Sequence, residues 1–195
     1  MNDHSEVETG TLATKLDRSF LHLDVDRNGQ IEREDLLGLG ARLLLTFAEP
    51  TSTPKGQALL AAFDRFWDTL ADHCDSDRDG HISPAEYRTG MLAAFVAGDR
   101  YEAIFQPAAG ALAIVADTDG DGRIDRAEFL AMEAALGVAE ADADHAFTRL
   151  STHGHLDVRK YFDAVRDYYT SPDPQAPGNW LYGPAFHVPP SPALP

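Results

Sequence analysis

The chain has 195 residues, room for one domain or two small ones, and 44% of them are apolar, so a sizeable core is within reach. Its formal net charge of -16 argues against nucleic acid as a partner, because phosphate contacts need lysine and arginine. The single cysteine, Cys74, excludes an intramolecular disulfide, and no apolar run approaches the roughly 20 residues of a membrane span.

In chain order, residues 1–10 are polar and acidic, carry no leader pattern, and read as a flexible N-terminus; with one cysteine they point to a cytoplasmic protein. Leu12, Leu16, Phe20 and Leu23 then recur at helical spacing before an acidic window, 24–35, and Leu36, Leu43, Leu44 and Phe47 follow it. Leu59, Phe63, Phe66, Trp67 and Leu70 lead into a second window, 75–86, and Tyr87, Met91 and Phe95 leave it. Ser83-Pro84 predicts a helix N-cap with proline at the first helical position. Pro107 predicts a break in the approach to a third window, 117–128, which Leu112 and Val115 precede and Phe129, Met132 and Leu136 follow. Gly137 predicts a helix C-cap. A last helix pair carries Ala143, Phe147 and Leu150, then Tyr161, Phe162, Val165 and Tyr169. Residues 171–195 hold eight of the twelve prolines and read as a disordered tail or an extended strap, the strap being favoured because Trp180, Leu181, Tyr182 and Phe186 are too apolar for a free linker.

The three windows contain 14 of the 32 acids. Diffuse solvating acidity would not concentrate so sharply. The spacing supplies the reason. A calcium-binding loop carries Asp, then Asp or Asn, at its first, third and fifth positions, Gly at the sixth and Glu at the twelfth. Asp75, Asp77, Asp79, Gly80 and Glu86 fit at every position, as do Asp117, Asp119, Asp121, Gly122 and Glu128. Calcium takes six to eight hard oxygens at about 2.3–2.6 Å, so inward carboxylates at alternate positions suit it, and the sixth position needs a turn that a side chain would obstruct. The seventh position gives only its backbone carbonyl, which leaves the side chains of Gln30, His81 and Arg123 free to vary. The eighth is apolar throughout, Ile31, Ile82, Ile124 and Leu156, as expected of residues that pair by a short antiparallel bridge.

The 24–35 loop supplies Asp24, Asp26, Asn28 and the Gln30 carbonyl but ends in Asp35, one methylene shorter than Glu. It is expected to hold an ion on altered terms, with Glu32 in reach at the ninth position. Calcium is the first expectation and magnesium is admitted because it wants only six ligands. Aligned on Gly154 and Leu156, a fourth loop near 149–160 places Arg149, Ser151, His153 and Lys160 at positions one, three, five and twelve. It should hold no calcium.

Four helix-loop-helix units with unequal linkers, a loop closed by Asp35, and the segment from Asp173 to Pro184 make the chain resemble the calerythrin-like and sarcoplasmic-type four-EF-hand proteins, a bacterial calcium-binding family, over roughly residues 11–184. The resemblance implies an all-α fold of two packed EF-hand pairs, here 11–97 and 98–170, with 171–195 as a C-terminal strap. His145, His153 and His155 have no zinc spacing and read as surface residues of a loop. Cys74 reads as core filling. No nucleophile-base pair, phosphate loop or cofactor motif favours an enzyme. Two readings stay open: a monomeric calcium buffer, favoured because only Met91 and Met132 could furnish an adaptable groove, and a calcium sensor acting on a protein target.

Overall fold

The structure, a computed structural model, describes residues 3–96 and 100–183, with side chains described at 10–94 and 100–183; the expected places of Phe95 and Phe186 lie outside them. The chain folds as α1 (Asp3–Leu23), α2 (Arg33–Thr46), α3 (Pro54–Cys74), α4 (Pro84–Val96), α5 (Tyr101–Ile104), α6 (Gln106–Ala116), β1 (Arg123–Asp125), α7 (Arg126–Ala135), α8 (Glu140–Leu150), β2 (His155–Asp157) and α9 (Val158–Thr170), with a 3₁₀ turn at Pro177–Trp180. The fold is all-α apart from one two-stranded ribbon.

Helix boundaries follow local chemistry. Thr53 caps α3 by accepting the Gly56 N–H at 3.0 Å, with Pro54 at the first helical position. The Glu86 N–H donates to Ser83 Oγ at 3.3 Å, so the Ser83-Pro84 cap forms as expected. The break before the third loop falls at Phe105, and Pro107 sits in the first turn of α6, where its missing N–H costs nothing. Gly137 closes α7 at φ 84°, donating to the Ala134 carbonyl. One boundary differs: α1 reaches back to Asp3, across the segment expected to be flexible. Nothing in 3–10 breaks a helix before Gly10, and Glu6 and Glu8 suit a helix N-terminus.

The loops pair as the eighth positions dictate. Ile31 and Ile82 exchange two backbone hydrogen bonds of 2.9 Å, and Ile124 faces Leu156 in the antiparallel ribbon β1–β2. All four side chains are fully buried. Helices of both halves then share one core: α3 packs on α2 and α6, and α2 on α7. Within it Phe105 meets Phe66 edge-on, with ring centroids 4.9 Å apart, and stacks on Tyr169 at 4.1 Å. Glu133 of α7 is wholly buried among the tyrosines of this core, and neither of its carboxyl oxygens meets a hydrogen-bond partner among the described residues. Burial therefore holds its pKa well above the carboxylate range.

The C-terminal segment lies across both halves. Ala176, Gly178, Asn179, Leu181 and Tyr182 are buried, and Trp180 is half-buried. Gly178 crosses α9 so closely that a Cβ would come within 2.3 Å of the Ala164 carbonyl oxygen. Lys15 of α1, fully buried, donates to Asn179 Oδ1 (3.0 Å) and to the Asp167 (3.1 Å) and Ser171 (2.7 Å) carbonyls. That ammonium ties the first helix to the end of α9 and to the strap.

Candidate metal centres

Three loops bring carboxylates together. Asp24, Asp26 and Asp35 each offer an oxygen within 4.8 Å of the others, as do Asp75, Asp77 and Glu86, and Asp117, Asp119 and Glu128. The loops are held in this shape by their own N–H groups. Asp24 accepts the N–H groups of Asn28 (3.1 Å) and Gly29 (3.0 Å). Asp75 does the same for Asp79 and Gly80, and Asp117 for Asp121 and Gly122. The fourth position takes positive φ in each loop (Arg27, Arg78, Gly120), and so does the sixth-position glycine. At the fifth position stand Asn28, Asp79 and Asp121, the two aspartates lying outside their triads. Each accepts the seventh-position N–H, of Gln30, His81 and Arg123 in turn, at 2.8 Å. The side chain of His81 leaves its own loop and meets Glu32.

The twelfth position closes each loop from the first turn of the next helix. Glu128 accepts the Thr118 N–H (2.8 Å) and hydroxyl (2.7 Å) on one oxygen and the Asp125 N–H (2.9 Å) on the other. Glu86 accepts the Ser76 and Ser83 N–H groups and both serine hydroxyls. Those bonds, from Ser83 first and then Ser76, pull its carboxyl down to about 2, so it is ionised and ready for a cation at neutral pH. Asp35 reaches the equivalent N–H groups, Val25 (2.9 Å) and Glu32 (2.9 Å), and that of Asp26 (3.2 Å) as well, despite its shorter arm. Asp35 is 5% exposed, and burial raises its pKa against the pull of those three N–H groups. Sequence reasoning missed the second position. Ser76 and Thr118 brace the closing glutamate with a hydroxyl, while Val25 cannot, and the Ser/Thr/Val contrast was the available signal.

The donor set is oxygen only, carboxylates with backbone and hydroxyl groups around them. Hard divalent cations fit it; a soft metal that needs imidazole or thiolate does not. The fourth loop differs in backbone as well as in chemistry. Thr152 and His155 exchange backbone bonds around His153 (φ 56°) and Gly154 (φ 82°), both at positive φ as in a type I′ hairpin turn. The positions that carry ligands elsewhere are engaged otherwise: Lys160 donates to Thr152 Oγ1 at 2.5 Å, and the Arg149 guanidinium lies 4.2 Å from the centroid of the Trp180 ring. His145 is not a loop residue as expected; it lies on α8 and packs on Trp180, while His155 is half-buried in β2.

Known proteins share these features. The EF hand family model matches residues 75–92 and 114–132. Calerythrin of Saccharopolyspora erythraea is 27% identical over 165 residues, 83% of this chain and 93% of calerythrin. A Streptomyces coelicolor calcium-binding protein, solved as a structural basis for prokaryotic calcium-mediated regulation, is 31% identical with a TM-score of 0.74, over 80% of this chain and 96% of its own. A sarcoplasmic calcium-binding protein from amphioxus has the same fold at 22% identity, TM-score 0.71, over 89% and 96% of the two chains.

Proposed function

Because the chain belongs to the calerythrin-like EF-hand proteins and binds calcium, we propose that it acts as a cytoplasmic, monomeric calcium buffer with three working loops. Asp24, Asp26, Asn28, Asp35 and the Gln30 carbonyl would hold the first ion; Asp75, Asp77, Asp79, Glu86 and the His81 carbonyl the second; Asp117, Asp119, Asp121, Glu128 and the Arg123 carbonyl the third. The 149–160 loop holds none. Residues 11–97 and 98–170 serve as the two EF-hand pairs, and the first loop accepts magnesium more readily than the others. No helix among the described residues is long and apolar enough to cross a membrane.

The observation that carries the buffer reading is that ligand-ready loops coexist with a closed core: Leu181 and Tyr182 already occupy the apolar ground between the halves. A sensor exposes such ground when it loads. The second reading, a sensor for a protein target, is favoured by the calcium-mediated regulation attributed to the Streptomyces coelicolor relative. Binding of a hydrophobic dye separates them. A buffer gains no dye binding when calcium is added, and a calcium-dependent gain would establish the sensor. Calorimetric titration tests the sites: Glu86→Gln and Glu128→Gln are each expected to remove about one ion, with dissociation constants between about 10⁻⁸ and 10⁻⁵ M for the intact loops. Unchanged stoichiometry in both variants would refute the assignment.

A further inference from the structure

A row of buried hydroxyls crosses the molecule from the second loop to the strap. Tyr87 follows Glu86 directly, is fully buried on α4, and its Oη lies 2.9 Å from Ser19 Oγ of α1. Tyr169 of α9 is hydrogen-bonded to both Ser19 and Tyr182, the latter in the strap. Ser19 Oγ donates to the Leu16 carbonyl at 3.0 Å, which uses its only proton. Tyr87 must then donate to Ser19, and Tyr169 must do the same. That leaves the Tyr169 oxygen to accept from Tyr182. Helices α1, α4 and α9 meet at this one serine, and the strap joins the row through Tyr182.

We propose that occupancy of the 75–86 loop closes the C-terminal strap through Tyr87, Ser19, Tyr169 and Tyr182, an inference that rests on the site reading above. Without a cation, the oxygens of Asp75, Asp77 and Glu86 repel one another within 4.8 Å. Asp75 and Asp77 are held by N–H groups within the loop, while Glu86, in the first turn of α4, is held by Ser76 at the start of the loop and by Ser83 at the helix cap. Of the three carboxylates only Glu86 stands on α4: its withdrawal from the like charges breaks the bonds to Ser76 across the loop, keeps those to Ser83 beside it, and carries Tyr87 with that turn. A buried hydroxyl has no water to replace a lost partner, so a small displacement breaks the row rather than stretching it. The strap then loses the bond that orients Tyr182, although Lys15 and the Arg149–Trp180 contact still tether it. The link is particular to this loop. Its counterparts after Asp35 and Glu128 are Leu36 and Phe129, which offer no hydroxyl.

Hydrogen exchange of the full chain, with calcium and with chelator, tests the proposal at the strap amides of Asn179, Leu181 and Gly183, which are bonded within the strap itself. Calcium is expected to slow them by about tenfold or more. Tyr87→Phe is expected to keep the ion stoichiometry and lose the calcium dependence, and Ser19→Ala to do the same if Tyr87→Phe does not fold. Glu86→Gln should abolish the response and Glu128→Gln preserve it. If Glu86→Gln leaves the stoichiometry unchanged, the site reading fails. If it removes one ion and the strap still follows calcium, or if Tyr87→Phe responds like the parent, the coupling fails.

Discussion

Glu32 and His81 join the first two loops side to side: Glu32 Oε1 lies 3.0 Å from His81 Nδ1, next to the Ile31–Ile82 bridge, and 3.3 Å from Asn28 Nδ2. The ninth position of one loop is therefore held by the seventh of the other. The ninth-position residue of the first loop is thus positioned by the second loop, which is a direct route for energetic coupling between the two.

Coupling of this kind predicts that His81→Ala leaves the ion count unchanged and weakens cooperativity between the first two sites. A change of about 1 kcal/mol in coupling free energy would be typical. Stepwise constants from a calorimetric titration of a Glu128→Gln background measure it. Identical cooperativity with and without the imidazole would show that the contact transmits nothing.

Asp35 already gathers the N–H groups of Val25, Asp26 and Glu32 despite being one methylene shorter than Glu. Asp35→Glu is expected to let the loop relax outward, strengthen calcium at one site and reduce competition by millimolar magnesium there, since calcium gains more from an added oxygen than six-coordinate magnesium does. Titrations with and without magnesium read both effects. No change in either would mean that another residue closes this loop.

The three loops hold 14 acids against 5 basic residues. Their mutual repulsion is relieved by bound cations, and ligands that bind only the folded state stabilise it by mass action, by about 2.7 kcal/mol per site at a hundredfold excess over the dissociation constant. The melting temperature should rise clearly with calcium. An unchanged melt at saturation would contradict this.

Lys15 predicts an unusual alkaline behaviour. Burial lowers its pKa to about 8 from 10.5, against the opposing pull of Asp167 and Asp173. Below pH 8 the folded and unfolded chains both carry the charge, and the cost of burying it is fully present. Between about pH 8 and 10.5 the folded state has released a proton that the unfolded state keeps, so this contribution to stability rises with pH. The parent chain should therefore gain on Lys15→Met between pH 7 and pH 9.5 in chemical denaturation. Parallel pH profiles would mean that the amine is solvated.

Removing residues 172–195 uncovers Tyr168 and Tyr169 and leaves Lys15 without Asn179. Burial of Leu181 and Tyr182 contributes roughly 1.5–3 kcal/mol each before ordering costs, so the shortened chain is expected to be less stable by a few kcal/mol and to bind more hydrophobic dye. Equal stability and equal dye binding would refute a packed strap.

The sequence alone determined the loops, and it could do so because their geometry is local. Twelve consecutive residues set where Asp75, Asp77 and Glu86 point, a glycine permits the turn, and an isoleucine two places on supplies the bridge to the paired loop. The helical stripes were legible for the same reason, since one face of a helix repeats within a few residues. Contacts between distant parts of the chain were decided only by how the helices pack. Lys15 and Asn179 are 164 residues apart, and a lysine on a helix reads as a solvated surface group until α9 and the strap close over it. Arg149 was legible as a lost ligand but not as a platform for Trp180. Tyr87, Ser19, Tyr169 and Tyr182 each look like ordinary helix or tail residues, and they become one row only because tertiary packing brings three helices and the strap together away from water.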